Sequence, residues 1–277
     1  MATLKDLQEN WEDLAQMDPL WAICADPHKR NHNWDEKEFF ETGRREIAKV
    51  LERMESLGIS LEAGAPVLDF GCGVGRLTSA LAEHFQECWG VDISPTMIQK
   101  ARDFNRHNPR CNFWLNEADD LKKFTDGYFG FIYTSIVLQH IQPRYARNYI
   151  RELIRVLKPG GVMVFQIVDR FKASLAHKLR VKLAFRRRFE SLLPGKSGKL
   201  SPQIIMHCMP EGTLHKLLAD CKVDVKDVKL TNSAEPSFNG NLQYLEQEPD
   251  LGFVSKQYSV VKNHAVPDLP VRTHSRE

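Results

Sequence analysis

Val67-Leu68-Asp69-Phe70-Gly71-Cys72-Gly73-Val74-Gly75-Arg76 decides the fold. A short apolar strand, PVLDF (66–70), feeds a glycine-rich turn, and Arg76 opens a helix over RLTSALAEHF (76–85). Glycine tolerates the positive φ angles of a tight turn and lets backbone approach a ligand closely. Charged parts of a ligand then sit near a helix start. The same pattern taken alone also suits a purely structural loop.

Outward from this stretch, strand and helix signals alternate. ECWGVD (87–92) reads as a second strand. Ser94-Pro95 is a good N-cap and first-turn pair for the helix TMIQKARDFNRH. CNFWL (111–115), FGFIYTS (129–135) and VMVFQIV (162–168) are three more strands, with the helix RYARNYIRELIRVL (144–157) before the last. Strands separated by helices of this length imply parallel βαβ units covered on both faces. A helix from Pro210 and two closing strands, CKVDVKDVKL and FVSKQYSVVK, follow. On the N-terminal side, Asp35 leads a helix in which Ile47, Leu51 and Met54 share one face. Gly58 is placed to end it.

The glycines run GxGxG and Arg76 takes the sixth place, so the dinucleotide pattern GxGxxG is not met. Asp69 stands two residues before the first glycine, where its carboxylate would repel a pyrophosphate and attract an ammonium group. That favours a methionine-like zwitterion. Asp92 ends the second strand, 23 residues after Asp69. An acid at about this spacing can accept both hydrogen bonds of a ribose diol.

Five motifs, VLDFGCGVGR, GVDISPTMIQKAR, NEADDL, FIYTSIVLQHI and LIRVLKPGGVMVF, stand in the order and spacing of class I S-adenosylmethionine-dependent methyltransferases, which residues 60–170 resemble. The resemblance implies a doubly wound, seven-stranded, mostly parallel Rossmann-like α/β sheet whose last strand (about 254–262) is antiparallel. It implies S-adenosylmethionine as cofactor. Asp69, Gly71, Cys72, Gly73, Gly75 and Arg76 would then face the methionyl part, and Asp92 with Ile93 the ribose. Glu117 and Ala118 would face the adenine, and Ser135 and Val137 the methyl-donor pocket. Two positions depart from the pattern: Gly130 stands where an acid is usual, and Glu117 where Asp is commoner. The N-terminal helices are similar to those that close over the donor, so that Phe39, Phe40 and Arg44 either wall the pocket or form the aromatic core of a cap.

Transfer from a sulfonium needs alignment and, for an oxygen nucleophile, a base. His140 follows the fourth strand, and His207 lies where the chain returns to the core. Each is a candidate base, and each also reads as a structural contact. The function expected is methyl transfer to a hydroxyl of a small molecule or glycan. A module that binds donor or product without catalysis, a membrane-associated scaffold, and a methyltransferase acting on nitrogen stay open. No [DNS]PP[YFW] tetrapeptide follows the fourth strand, and no acid cluster has metal-ligand spacing, so no metal is expected.

Three regions are expected: a helical cap (1–63), the methyltransferase domain (64–264) with a helical basic insertion (169–209), and a flexible tail (265–277). Net charge is +2, but residues 169–199 hold ten Lys or Arg against two acids. Three readings fit this segment: a lid over the acceptor, a contact through 170–199 with anionic lipid or a phosphorylated or lipid-linked acceptor, or a solvated insertion. The rest of the chain is net acidic and shows no RNA-binding module, which argues against nucleic acid. Six cysteines without zinc-type spacing, no apolar leader and no run of membrane-spanning length suggest a cytoplasmic protein.

Overall fold

The computed structural model describes residues 3–173, 204–235, 238–250 and 252–264. Helices α1 (Leu4–Met17), α2 (Pro19–Ile23) and α3 (Glu36–Ser56) come first. Strand β1 (Val67–Phe70), helix α4 (Arg76–Leu81), β2 (Cys88–Asp92), α5 (Pro95–Phe104), β3 (Cys111–Leu115) and β4 (Phe129–Thr134) follow. Then come α6 (Pro143–Val156), β5 (Leu157–Lys172), α7 (Glu211–Asp220), β6 (Val223–Thr231), β7 (Tyr244–Leu245) and β8 (Gly252–Lys262). The sheet order is β3-β2-β1-β4-β5-β8-β6-β7. β1 to β5 pair in parallel, while β8 lies antiparallel between β5 and β6.

Alternation along the central strands builds the two flanking layers. Val67, Phe131, Tyr133, Val162 and Val164 pack against Ile47, Val50 and Met54 of α3 and Leu77 and Leu81 of α4. Their neighbours Leu68, Ile132, Met163 and Phe165 pack against Tyr149 and Leu153 of α6 and Leu214 and Leu218 of α7. A third cluster joins Leu14, Ala22, Trp34 and Phe39 of the N-terminal segment to Val74 of the glycine turn and Met97 of α5. The N-terminal helices are thereby seated over the carboxyl ends of β1 and β2.

The expected caps are in place. Asp35 accepts from Glu38 N at 2.9 Å, and Ser94 Oγ accepts from Met97 N at 3.1 Å. Gly58 follows α3 at φ +68°, a left-handed position that glycine takes without steric cost. The antiparallel closing strand is also as expected.

Other details differ from the sequence reading. The sheet has eight strands where seven were expected, because Tyr244–Leu245 adds a two-residue strand on Leu230 and Thr231. α4 stops at Leu81 rather than continuing to residue 85. The chain tightens there into i→i+3 turns, with Glu83 N on Ala80 O and His84 N on Leu81 O. Residues 169–172, placed by the sequence in the basic insertion, are strand: β5 continues against β8 as far as Lys172↔Gly252. Arg170 and Lys172 are paired with Glu248. The remaining readings of the basic segment fall on 174–203, and the tail on 265–277, both outside the described residues. No helix among the described residues is long and apolar enough to cross a membrane.

Gly43 lets α3 lie on the start of α4. A Cβ there would meet the Arg76 carbonyl oxygen at 2.6 Å. That backbone atom leads directly out of the glycine turn and has little room to yield. Gly43→Ala should therefore destabilise the fold by about 1–3 kcal/mol despite its better helix propensity. A lowered urea midpoint at unchanged slope is the expected reading, and an unchanged midpoint would show that the helices can separate freely.

Candidate active site

The glycine turn is held from β2. Gly71 N and Cys72 N both donate to Val91 O, at 2.7 and 3.0 Å. Asp92, one residue on, accepts from Gly73 N and from Ser94 N, both at 2.9 Å. One carboxylate thus ties the turn to the start of α5. Burial raises the pKa of Asp92, and the backbone hydrogen bonds from Ser94, Gly73 and Ile93 oppose the rise. Gly71 and Gly73 have positive φ, and side chains there would strike Val137 and Ile23 respectively. The turn can therefore be this close to the β4 loop and to α2 only as glycine.

A mostly apolar cavity opens above this turn. Gly71, Cys72, Gly73, Arg76, Asp92, Ile93, Ser135, Val137 and His140, all singled out in the sequence, line it. Arg76 nevertheless directs its guanidinium away, to buried Glu46 at 2.8 Å and Thr42 at 3.2 Å. Ser135 Oγ is buried with no hydrogen-bond partner among the described residues. That orphaned hydroxyl, the glycine cradle and the Asp92 carboxylate suit a ligand that is part apolar, part hydroxylated.

Four other assigned residues stand back from the cavity wall. Asp69 is buried behind the turn, with Oδ2 accepting from Thr78 Oγ1 at 2.6 Å. Gly75 caps α4 at φ +84°. Glu117 accepts from Gln8 Nε2 at 2.5 Å. The Ala118 carbonyl accepts from Tyr149 OH at 2.6 Å and from Asn116 Nδ2 at 3.0 Å. Phe39 is core, and Phe40 and Arg44 line a different groove.

The N-terminal helices were expected over the donor, but through Phe39, Phe40 and Arg44, and other residues of that segment line the cavity. Leu7 and Trp11 of α1, and Ala22 and Ile23 of α2, close the cavity from above. Gln8 reaches down to Glu117 and to Ile93 O at 3.3 Å. Glu12 accepts from Ser94 Oγ and Thr96 N at the start of α5. Asn116 and Ile136, also unassigned before, line the cavity too. Ile136 holds φ +60°, a costly conformation for a β-branched residue.

His140 lies in a 3-10 turn (Leu138–His140) and is 6% exposed. Its Nδ1 is 2.7 Å from Ile205 O, and Trp11 meets its ring edge-on. Burial pushes its pKa down to about 4, so the ring is neutral at ordinary pH. A second cavity lies on its other side, with Asn10, Trp11, Tyr145, Ile205 and His207 in its wall. His207 therefore belongs to the second cavity only, and burial lowers its pKa as well.

Residues 67–161 match the family model described as a methyltransferase domain. An uncharacterised methyltransferase of Synechocystis is 35% identical over 121 residues, covering 44% of this chain and 53% of that one. A ubiquinone biosynthesis O-methyltransferase of Xanthomonas oryzae is 30% identical over 115 residues, covering 41% and 47%. The chain spans about half the length of these two curated relatives. Phosphoethanolamine N-methyltransferase 1 of Haemonchus contortus, solved with phosphoethanolamine and S-adenosylhomocysteine, shares the fold at TM-score 0.61 and 14% identity. That alignment covers 97% of this chain and 51% of that one.

Asp69 makes a measurable signature. Burial raises its pKa to about 7, against the hydrogen bond from Thr78. An unfolded Asp titrates near 3.9, so between these values the fold holds the proton more tightly than the unfolded chain. The contribution of Asp69 to stability is therefore fully present below about pH 4 and is lost as pH rises through about 7. Asp69→Asn should gain on the wild type between pH 5 and 8, by roughly 3 kcal/mol. Urea midpoints of both proteins across that range test this, and a pH-independent difference would refute it.

Proposed function

We propose that this chain, whose residues 67–161 match a methyltransferase domain, is a class I S-adenosylmethionine-dependent methyltransferase that acts on a hydroxyl of a small molecule or glycan. The donor's sulfonium supplies an already activated methyl group. Asp92 would hold the ribose hydroxyls: its two oxygens accept backbone N–H groups from Gly73 and Ser94 and keep further acceptor capacity. Gly71 and Gly73 would cradle the methionyl part, Ser135 Oγ would gain its missing partner, and Glu117 and Ala118 would bound the adenine end. Asp69 we assign to supporting the turn through Thr78.

The observation that carries this reading is the position of His140. It lies in the wall between the two cavities, together with Leu7 and Trp11. An acceptor reaching from the second cavity past the shared rim of Leu7, Trp11 and His140 would bring its hydroxyl to the donor's methyl group beside a neutral imidazole. A neutral ring has a lone pair with which to take the hydroxyl proton as the oxygen becomes a nucleophile. An uncharged amine is nucleophilic without such a group, whereas an ammonium would need its proton removed just as the hydroxyl does. His207, in the second cavity alone, is better placed to touch the acceptor than to serve as base.

Thermal-shift titration separates the parts of this proposal. S-adenosylmethionine and S-adenosylhomocysteine should each raise Tm, and NAD should not. A ligand at 100 times its Kd adds about 2.7 kcal/mol, enough to read. Asp92→Ala should abolish the shift with the circular dichroism spectrum preserved. Tight donor binding by that variant would remove Asp92 from the site. His140→Ala should keep the shift and cut methyl transfer to a panel of hydroxylated acceptors about 10²-fold. Full turnover without His140 would end its role as base.

A further inference from the structure

Buried side-chain amides next to His140 form a chain whose donors and acceptors can be assigned without seeing a hydrogen atom. Ile136 N donates to Gln166 Oε1 at 3.0 Å. A backbone amide can only donate, so this oxygen is correctly placed and Gln166 Nε2 must point the other way. That nitrogen donates to Gln139 Oε1 at 2.8 Å and to Ser255 Oγ at 2.7 Å. Gln139 therefore presents its own Nε2, 3.1 Å from His140 Nε2 and 3.3 Å from Met206 Sδ. At the far end, His140 Nδ1 faces the Ile205 carbonyl at 2.7 Å, and a carbonyl can only accept. Both ends thus give the same answer: the ring proton is on Nδ1 and the lone pair is on Nε2.

We infer that Gln166 and Gln139 are positioning residues, which fix His140 as the Nδ1–H tautomer and keep its Nε2 ready to accept a proton. This rests on the reading of His140 as the base. Gln166 and Gln139 are fully buried, and Ser255 hands the chain on to Thr231 Oγ1 at 2.8 Å. Turning the Gln139 amide over would set two NH2 groups face to face and an oxygen against a nitrogen lone pair. In a buried site, unsatisfied groups of this kind cost on the order of 1–3 kcal/mol each. The other tautomer would equally set a lone pair against the Ile205 carbonyl. The network therefore excludes the form of the ring that could not take a proton at Nε2. Gln139 meets the lone pair with a neutral N–H and so leaves Nε2 unprotonated.

The start of the chain also explains Ile136. Its left-handed backbone aims the N–H at Gln166, and the same residue lines the donor cavity. The strained loop after β4 is in this way connected to the orientation of the base by two amides and no mobile charge.

The test is the nitrogen chemistry of the histidine ring in the full chain, without donor or acceptor. Long-range 1H–15N correlation spectra at pH 7 distinguish Nδ1–H, Nε2–H and imidazolium, and the His140 signals are those missing from His140→Asn. The expected result is a protonated Nδ1 and an unprotonated Nε2. An Nε2–H ring, or averaged shifts at the two nitrogens, overturns the inference. Gln166→Glu keeps the acceptor for Ile136 N but removes the donor to Gln139. Gln139 should then turn over, and His140 should gain a proton at Nε2. A merely structural role would lower Tm and leave the His140 signals as they were, which also overturns the inference. The wild-type tautomer decides the matter alone should that variant not fold. An Nδ1–H ring together with full turnover by His140→Ala would instead leave the relay standing and dismiss the base.

Discussion

The site depends on the carbonyl of Val91 and the carboxylate of the next residue. Val91 O takes two consecutive backbone N–H groups from the glycine turn, and Asp92 takes a third. Backbone donors in a tight turn have no ladder partners, and leaving them buried and unpaired would cost about as much as the turn could gain by being there. Satisfying them from β2 bends the chain sharply at the carboxyl edge of the sheet. Asp92 has a second partner in Ser94 N, so the same carboxylate sets the start of α5. Cavity floor, turn and helix are one hydrogen-bonded unit.

A buried ionic network secures the unit from the other face. Arg76, immediately after the turn, is paired with Glu46 of α3, whose other oxygen accepts from Tyr133 OH at 2.8 Å. A buried pair of this kind adds little net stability against a well-packed apolar alternative, but it tolerates few other arrangements of the helices that carry it. Its position makes α3 specify where α4 begins. Gly43 performs the same service sterically, by allowing the two backbones to touch.

The glycine turn stood out in the sequence, while of the N-terminal helices only their general place over the donor was expected, through the resemblance, and not the residues that line the cavity. Gly71, Gly73 and Asp92 announce themselves because the turn demands their chemistry locally, at short and regular spacing. Ser94-Pro95 and Gly58 mark helix ends for the same reason. Gln8, Trp11 and Glu12 reach their partners across 80 or more residues of chain, from a helix that reads only as helix. Nothing in their local pattern says which strand ends they will cover. The far end of β5 was hidden differently: Asp169, Arg170 and Lys172 look like the start of a charged insertion. Their strand character comes from pairing with β8 and from the ion pairs to Glu248. Glu117 and Ala118 were named through the family resemblance alone, which did not say that Gln8 and Tyr149 would be their neighbours.

The low pKa of His140 invites the objection that so weak a base is a poor choice. The charge carried by the whole site answers it. Burial disfavours an imidazolium because it adds a net positive charge to an apolar enclosure. Methyl transfer to a hydroxyl discharges one cation and creates one proton. If His140 takes that proton, the enclosure holds the same charge before and after, merely moved from the donor onto the ring. The desolvation that keeps the ring neutral while the enclosure is uncharged, or already holds a cation, is then largely offset once that cation has been discharged. In the proposed reaction, burial would keep His140 from protonating too early without preventing it from protonating at the right step. The amide chain behind the ring complements this, since it orients the lone pair through neutral groups. A carboxylate in place of Gln139 would have oriented the ring equally well, but would have protonated it beforehand.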